Sequence, residues 1–162
     1  MCRKEKFASL AYVQALQSQM SFKHGAVITK GSKIIVSGMN HSDRTSTLGQ
    51  IHSSVHAEMA VASQLINRYI RKKTTNRSEY KNYLKKYIIW VVRAPTYKTE
   101  NLNNEYRNSM PCKMCINKLT TLGFTKIGYS DNNGIMVVTN LNKIKKSQLS
   151  SVQKKFSEHY KY

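Results

Sequence analysis

The sequence has few acidic residues, few cysteines and no long apolar run. Each of these shortages limits the class of protein to which the chain can belong. Only eight Asp and Glu oppose 27 Lys and Arg, which gives a formal charge of +19. The odd number of cysteines (Cys2, Cys112 and Cys115) does not fit the disulfide framework of a small secreted domain. No stretch approaches the roughly 20 apolar residues of a membrane span, and no apolar signal core follows Met1. We therefore expect a cytoplasmic or otherwise intracellular protein with no membrane partner.

Length and composition are those of one folded domain. The chain has 162 residues, of which 40% are hydrophobic, enough to bury a core. No internal repeat is visible. We expect a single domain over residues 1–162, with its core at about 7–138 and a basic tail at about 141–162.

The excess of positive charge leaves the partner open. It suits binding of nucleic acid or of a phosphorylated small molecule. Lysine outnumbers arginine and the basic residues are scattered, which an AT-rich coding sequence would also produce. Charge alone therefore does not decide between these partners.

Apolar periodicity and turn residues predict a mixed α/β chain. Helical spacing favours helices over residues 7–20 and 55–73, and Pro111 favours a third helix that ends before Gly123. Strands are predicted at 26–28, 33–36, 87–92, 124–130 and 135–139. Residues 37–53 and 95–110 are expected to be loops, 72–86 either a helix extension or a linker, and a terminal helix is expected from Ser147. This order predicts an α/β sandwich around a mixed five-stranded sheet.

Two short motifs carry the chemistry. His-Ala-Glu at 56–58 supplies an imidazole and a carboxylate, and Pro-Cys-Lys-Met-Cys at 111–115 supplies two thiols. Both stand at predicted helix starts, where unpaired amides favour the thiolate form that binds metal. His56, Cys112 and Cys115 match the three protein ligands of a catalytic zinc site. Glu58 is then free to move protons to and from a zinc-activated water.

A purely structural zinc is the main alternative, and it would need a fourth protein ligand. His52 lies four residues before His56, the spacing at which two histidines share a helix face. A position in the loop is favoured for His52.

The two motifs together resemble the signature of the cytidine and deoxycytidylate deaminase superfamily. The likeness extends over about residues 7–138, because Gly-Ala-Val-Ile at 25–28 and Gly-Met-Asn at 38–40 are similar to the first hairpin and following loop of that family. It implies a three-layer α/β/α fold with helices on both faces of the sheet, a Zn²⁺ cofactor and a homo-oligomer. It also implies that Asn40 contacts the sugar of a substrate, that the Ala57 backbone contacts the base, and that His24 lines the pocket.

The function implied by this resemblance is zinc-dependent hydrolytic deamination of a cytosine-type nucleoside or nucleotide, such as cytidine, deoxycytidine or dCMP. Two alternatives stay open: deamination of a base within nucleic acid (tRNA adenosine, or cytosine in RNA or DNA), and a catalytically inactive zinc-containing binding module. Extra residues at 72–86 and 95–110 lengthen the segment between the motifs. The second insertion borders the pocket in the family, and we expect it to influence substrate choice.

Overall fold

Backbone pairing joins five strands in one mixed sheet. The computed structural model describes residues 2–42, 45–47, 50–52, 54–96 and 106–144, with the backbone alone at 45–47 and 50–52. In the sheet, whose order is β2-β1-β5-β6-β7, β5 and β6 run parallel and the other neighbours antiparallel. The strands, including a separate β3–β4 hairpin, are β1 (His24–Lys30), β2 (Lys33–Met39), β3 (Thr45–Thr47), β4 (Gln50–His52), β5 (Ile88–Arg93), β6 (Lys126–Ser130) and β7 (Met136–Asn140).

Four α-helices lie within the described part of the chain. The second one continues directly into a π-helical turn over Ile66–Ile70, and short 3₁₀ turns occur at Arg77–Glu79 and Leu141–Lys143. None of the described helices combines the length and apolar content needed to cross a membrane. The helices are α1 (Arg3–Gln17), α2 (Ala57–Leu65), α3 (Tyr80–Leu84) and α4 (Lys113–Leu122).

Different helices cover the two faces of the sheet. Along β5, Ile89 and Val91 belong to the buried cluster that contains α2 and α4 residues, whereas Trp90 and Val92 belong to the cluster that contains α1 residues. This alternation follows from the pleat of the strand. The predicted three-layer α/β/α arrangement around a mixed five-stranded sheet is therefore confirmed.

Helix α1 lies unusually close to the sheet at Gly25. A Cβ at this position would lie 1.9 Å from the carbonyl oxygen of Ala11 and 2.3 Å from the backbone nitrogen of Ala15. Small residues on both sides of the contact allow this approach, which fixes the start of β1 beneath the end of α1. His24, the residue before Gly25, begins β1 at this contact.

Several predicted boundaries are wrong. Helix α1 begins at Arg3 because Cys2 caps it in a reciprocal pair with Glu5, and it ends before Ser18, whose hydroxyl bonds Asn40 instead. The loop predicted over 37–53 contains the end of β2 and the β3–β4 hairpin, which backbone pairing holds without an apolar pattern.

The segment 72–86 is neither a helix extension nor a linker. Burial of Tyr80 and Leu84 instead stabilises the short helix α3. The terminal helix predicted from Ser147 lies outside the described residues.

Candidate active site and metal centre

Both motifs stand at helix starts, as predicted. His56 is the N-cap of α2 and Cys112 is the N-cap of α4, and both have extended backbone angles. Neither side chain makes a capping hydrogen bond to its own helix. Their ring nitrogen and sulfur are therefore available to face each other across the gap between the two helices.

His56, Cys112 and Cys115 form a group whose geometry fits a metal ion. Their three ligand atoms all lie within 4.8 Å of one another. The Nδ1 atom of His56 lies 3.6 Å from the Cys112 sulfur and 3.3 Å from the Cys115 sulfur. Tetrahedral zinc with ordinary bond lengths would separate a nitrogen and a sulfur ligand by about 3.6 Å. One imidazole and two thiols at these distances are a suitable donor set for Zn²⁺.

Hydrogen bonds among these three side chains shift the pKa of each of them. A hydrogen bond from Cys115 is the main reason that the pKa of Cys112 is lowered to about 4. The same hydrogen bond, with burial and the Glu58 charge, raises the pKa of Cys115 above its ordinary value. A hydrogen bond to Cys112 is also the main cause that raises the pKa of His56 to about 9. Without a metal, one thiolate is thus stabilised by two protonated neighbours, which a bound cation would replace.

Glu58 lies in the first turn of α2 and is buried, with 4% of its surface exposed. Its Oε1 atom lies 3.9 Å from His56 Nδ1. A carboxylate held beside a metal cluster, and outside the set of three ligands, can exchange protons with a molecule bound there.

Asn40 and His24 lie together where β2 ends and β1 begins. The buried Asn40 side chain accepts hydrogen bonds from Ser18 Oγ (2.7 Å) and from the His24 backbone N–H (2.9 Å), and it donates one to the Phe22 carbonyl (2.7 Å). Burial lowers the pKa of His24, while the nearby charge of Glu58 opposes that effect. Asn40 therefore joins the end of β2 to the start of β1, where His24 lies near Glu58.

Comparison with known proteins decides the family. The chain matches the cytidine and deoxycytidylate deaminase zinc-binding region over residues 1–131. This protein belongs to that deaminase family. No curated protein sequence matches the chain at a significant level.

A crystal structure of a cytidine deaminase from Burkholderia pseudomallei shares the fold, with a TM-score of 0.55 and 16% sequence identity. The alignment covers 85% of this chain and 92% of that one. The predicted membership of the deaminase superfamily is confirmed. The family's zinc-binding region and the fit of the His56, Cys112 and Cys115 cluster also confirm Zn²⁺ as the cofactor.

No fourth ligand joins the cluster among the residues whose side chains the structure describes. The side chain of His52 lies outside them. The backbone of His41, the residue after Asn40, pairs with Val55, immediately before the His-Ala-Glu motif of the deaminase family. That pairing joins the end of β2 to the start of α2.

Part of the segment just before Cys112 is not the surface loop that was predicted. Ser109 is only 3% exposed. Its hydroxyl donates to the Val91 carbonyl and accepts from the Ser130 N–H, each at 2.8 Å, and it also contacts the Ser130 hydroxyl. The segment that leads into the CxxC motif is thus anchored to β5 and to the end of β6. A lone serine in a polar stretch gives no sequence signal for this role.

Arginine side chains are the second feature that sequence reasoning missed. Arg93 ends β5, and its backbone forms an isolated antiparallel bridge with Arg107. The Arg93 guanidinium stacks on the Phe22 ring at 4.4 Å from the ring centroid. Scattered basic residues elsewhere in the chain conceal this pair in the sequence.

Proposed function

We propose that this protein is a zinc-dependent hydrolytic deaminase that removes the exocyclic amine from a cytosine-type nucleoside or nucleotide. The observation that carries the proposal is the buried carboxylate of Glu58 beside three metal-binding side chains. Membership of the cytidine and deoxycytidylate deaminase family supports the cytosine-type substrate.

In this proposal His56, Cys112 and Cys115 hold the metal. Zinc, when bound, acts as a Lewis acid that lowers the pKa of water towards about 7. Glu58 accepts a proton from the attacking water and delivers protons to the ring nitrogen and to the departing amine. The bond from the ring carbon to the exocyclic nitrogen breaks, a carbon–oxygen bond replaces it, and ammonia leaves.

The substrate contacts are proposed for three residues around this centre. Ala57 and Glu58 are the first two residues of α2, so their N–H groups have no partner within the helix and can face the base. His24 is close enough to Glu58 to feel its charge, which supports its role in lining the pocket. One N–H of the Asn40 amide is not used in its bonds to described residues, and we assign that hydrogen to the sugar.

Deamination of a base within nucleic acid is the second candidate, and the net charge of +19 favours it. Zinc-loaded protein incubated separately with cytidine, deoxycytidine, dCMP, guanine and a tRNA mixture, with ammonia as the readout, separates the two. Ammonia from the free cytosine compounds is the expected result. Ammonia from the tRNA alone would replace the proposal with the second candidate, and no ammonia from any substrate would favour an inactive zinc-containing module.

We also propose a reducing, intracellular location and self-association. The two proposed thiol ligands are free cysteines only 3 residues apart in sequence. In an oxidising compartment, disulfide formation would compete with metal binding for these thiols. Self-association is an expectation from the family. Light scattering on the zinc-loaded protein would test it, and a monomer mass would contradict it.

A further inference from the structure

Three basic side chains form a row across the sheet beside the candidate active site. His24 on β1 lies directly opposite Arg93 on β5, and Arg93 in turn lies opposite Arg107. The Arg107 N–H donates to the Arg93 carbonyl at 2.9 Å, which fixes the second pairing. Residues directly opposite each other project from the same face of a sheet, with their Cβ atoms about 5 Å apart.

The row lies on the face that carries the metal cluster. In β1, Ala26 and Ile28 belong to the cluster of buried residues that includes Cys112 and Cys115. His24 lies two residues before Ala26 and therefore projects from the same face of the strand. In β5, Ile89 and Val91 belong to the same cluster. Arg93 lies two residues after Val91 and also projects from that face. Both strands therefore direct the row towards the face covered by α2 and α4. At this end of the sheet the charges of Glu58 and His56 influence the pKa of His24.

Neither arginine has an acidic partner within the described part of the chain. The Nε atom of Arg93 is buried and has no hydrogen-bond partner there. Asp131, which follows the end of β6, accepts backbone hydrogen bonds from Asn133 and Ile135 within its own turn. Two neighbouring guanidinium groups without a carboxylate repel each other unless an anion binds between them.

We infer that Arg93 and Arg107 form the binding site for the terminal phosphate of the substrate, so that this deaminase acts on a nucleoside 5′-monophosphate in preference to the nucleoside. The inference rests on the proposed function. A phosphate monoester carries a charge of about −1.5 to −2 near neutral pH, which two guanidinium groups neutralise. A phosphodiester within a nucleic acid carries only one negative charge and matches the pair less well. Arginine also presents paired donors that suit phosphate oxygens.

The Phe22 ring holds the Arg93 guanidinium in place by stacking against it. Phe22 is half-exposed, and its carbonyl accepts a hydrogen bond from the Asn40 amide, so the residue that carries the ring is tied to the end of β2. The pair thus combines one arginine fixed by an aromatic ring and one placed by the segment that precedes Cys112. This gives the 95–110 insertion a defined role in substrate choice through its last residues.

Binding measured without turnover tests the inference separately from the reaction. Three zinc-loaded proteins are titrated calorimetrically, each with dCMP and with deoxycytidine. They are the Glu58→Gln variant and two double variants that add Arg107→Gln or Arg93→Gln to it. Arg77→Gln, a change at an exposed arginine of the 3₁₀ turn, is the matched control for loss of one charge. Thermal unfolding checks that each variant folds, and Arg107→Lys serves as a second variant that keeps the charge but loses the paired donors.

We expect dCMP to bind at least ~10-fold more tightly than deoxycytidine, and either arginine-to-glutamine change to reduce that ratio by ~10-fold or more. Arg107→Lys should reduce the ratio by less, and Arg77→Gln should leave it within about twofold. Equal affinities for the two ligands, or an equal loss in the Arg77→Gln control, would overturn the inference. Tighter binding of an internal phosphodiester, in a short cytosine oligonucleotide without terminal phosphates, would also overturn it. Failure of the proposed function would show differently, as binding without ammonia release by the parent enzyme.

Discussion

Replacement of Ser109 by alanine should destabilise both the fold and the metal site. The hydroxyl accepts a hydrogen bond from the Ser130 N–H and donates one to the Val91 carbonyl, each at 2.8 Å and both in a buried setting. Each buried polar group left without a partner costs about 1–3 kcal/mol. We expect Ser109→Ala to lower the free energy of unfolding by about 2–4 kcal/mol. For a chain of this length, that corresponds to a fall in Tm of about 5–15 °C.

Zinc affinity should fall as well, because Ser109 lies just before Cys112 and ties that segment to β5 and to the end of β6. Scanning calorimetry gives the Tm, and competition with a chromogenic chelator gives the zinc affinity of the variant. Ser78→Ala is the control, since Ser78 is exposed and bonds only within its own turn. A Tm within about 2 °C of the parent protein and an unchanged zinc affinity would refute the anchoring role of Ser109.

Three further predictions concern the fold and the metal. Gly25→Ala should destabilise the protein by about 3 kcal/mol or more, because the new Cβ meets the α1 backbone; an unchanged urea midpoint would contradict this. Asn40→Ala should cost about 2–4 kcal/mol in urea unfolding, because three hydrogen bonds near β1 are lost; a loss below about 0.5 kcal/mol would contradict it. Zinc uptake by the metal-free protein at pH 7 should release about two protons, because the pKa of His56 is raised to about 9 and that of Cys115 is also raised. Calorimetry in buffers of different ionisation enthalpy measures that release, and a value near zero would contradict the assigned protonation.

The layer order of the fold was predictable because apolar patterns and turn residues are local. The continuous apolar run of β5 is buried on both faces, as expected, and Gly123 ends α4 with a left-handed conformation. The β3–β4 hairpin was missed because its sequence has no alternating apolar pattern. Helix α3 was missed because Tyr80 and Leu84 are separated by polar and basic residues, and only tertiary burial selects them.

The metal cluster was predictable because each of its motifs is compact in sequence and begins a helix. The supporting residues were not predictable in the same way. Ser109 acts through strands that lie 18 and 21 residues away in sequence. The pairing of Arg93 with Arg107 depends on a bridge formed after a long intervening segment. Residues that act through such distant contacts leave no pattern in a single sequence.

Ammonia release by zinc-loaded protein with and without the Glu58 carboxylate tests the central claim most directly. With dCMP or cytidine as substrate, the parent protein should release ammonia. The Glu58→Gln variant, shown to hold about one zinc per chain, should be slower by about 10²–10⁴-fold, because the group that moves the protons is gone. Ammonia release by the variant at the rate of the parent protein would contradict the account.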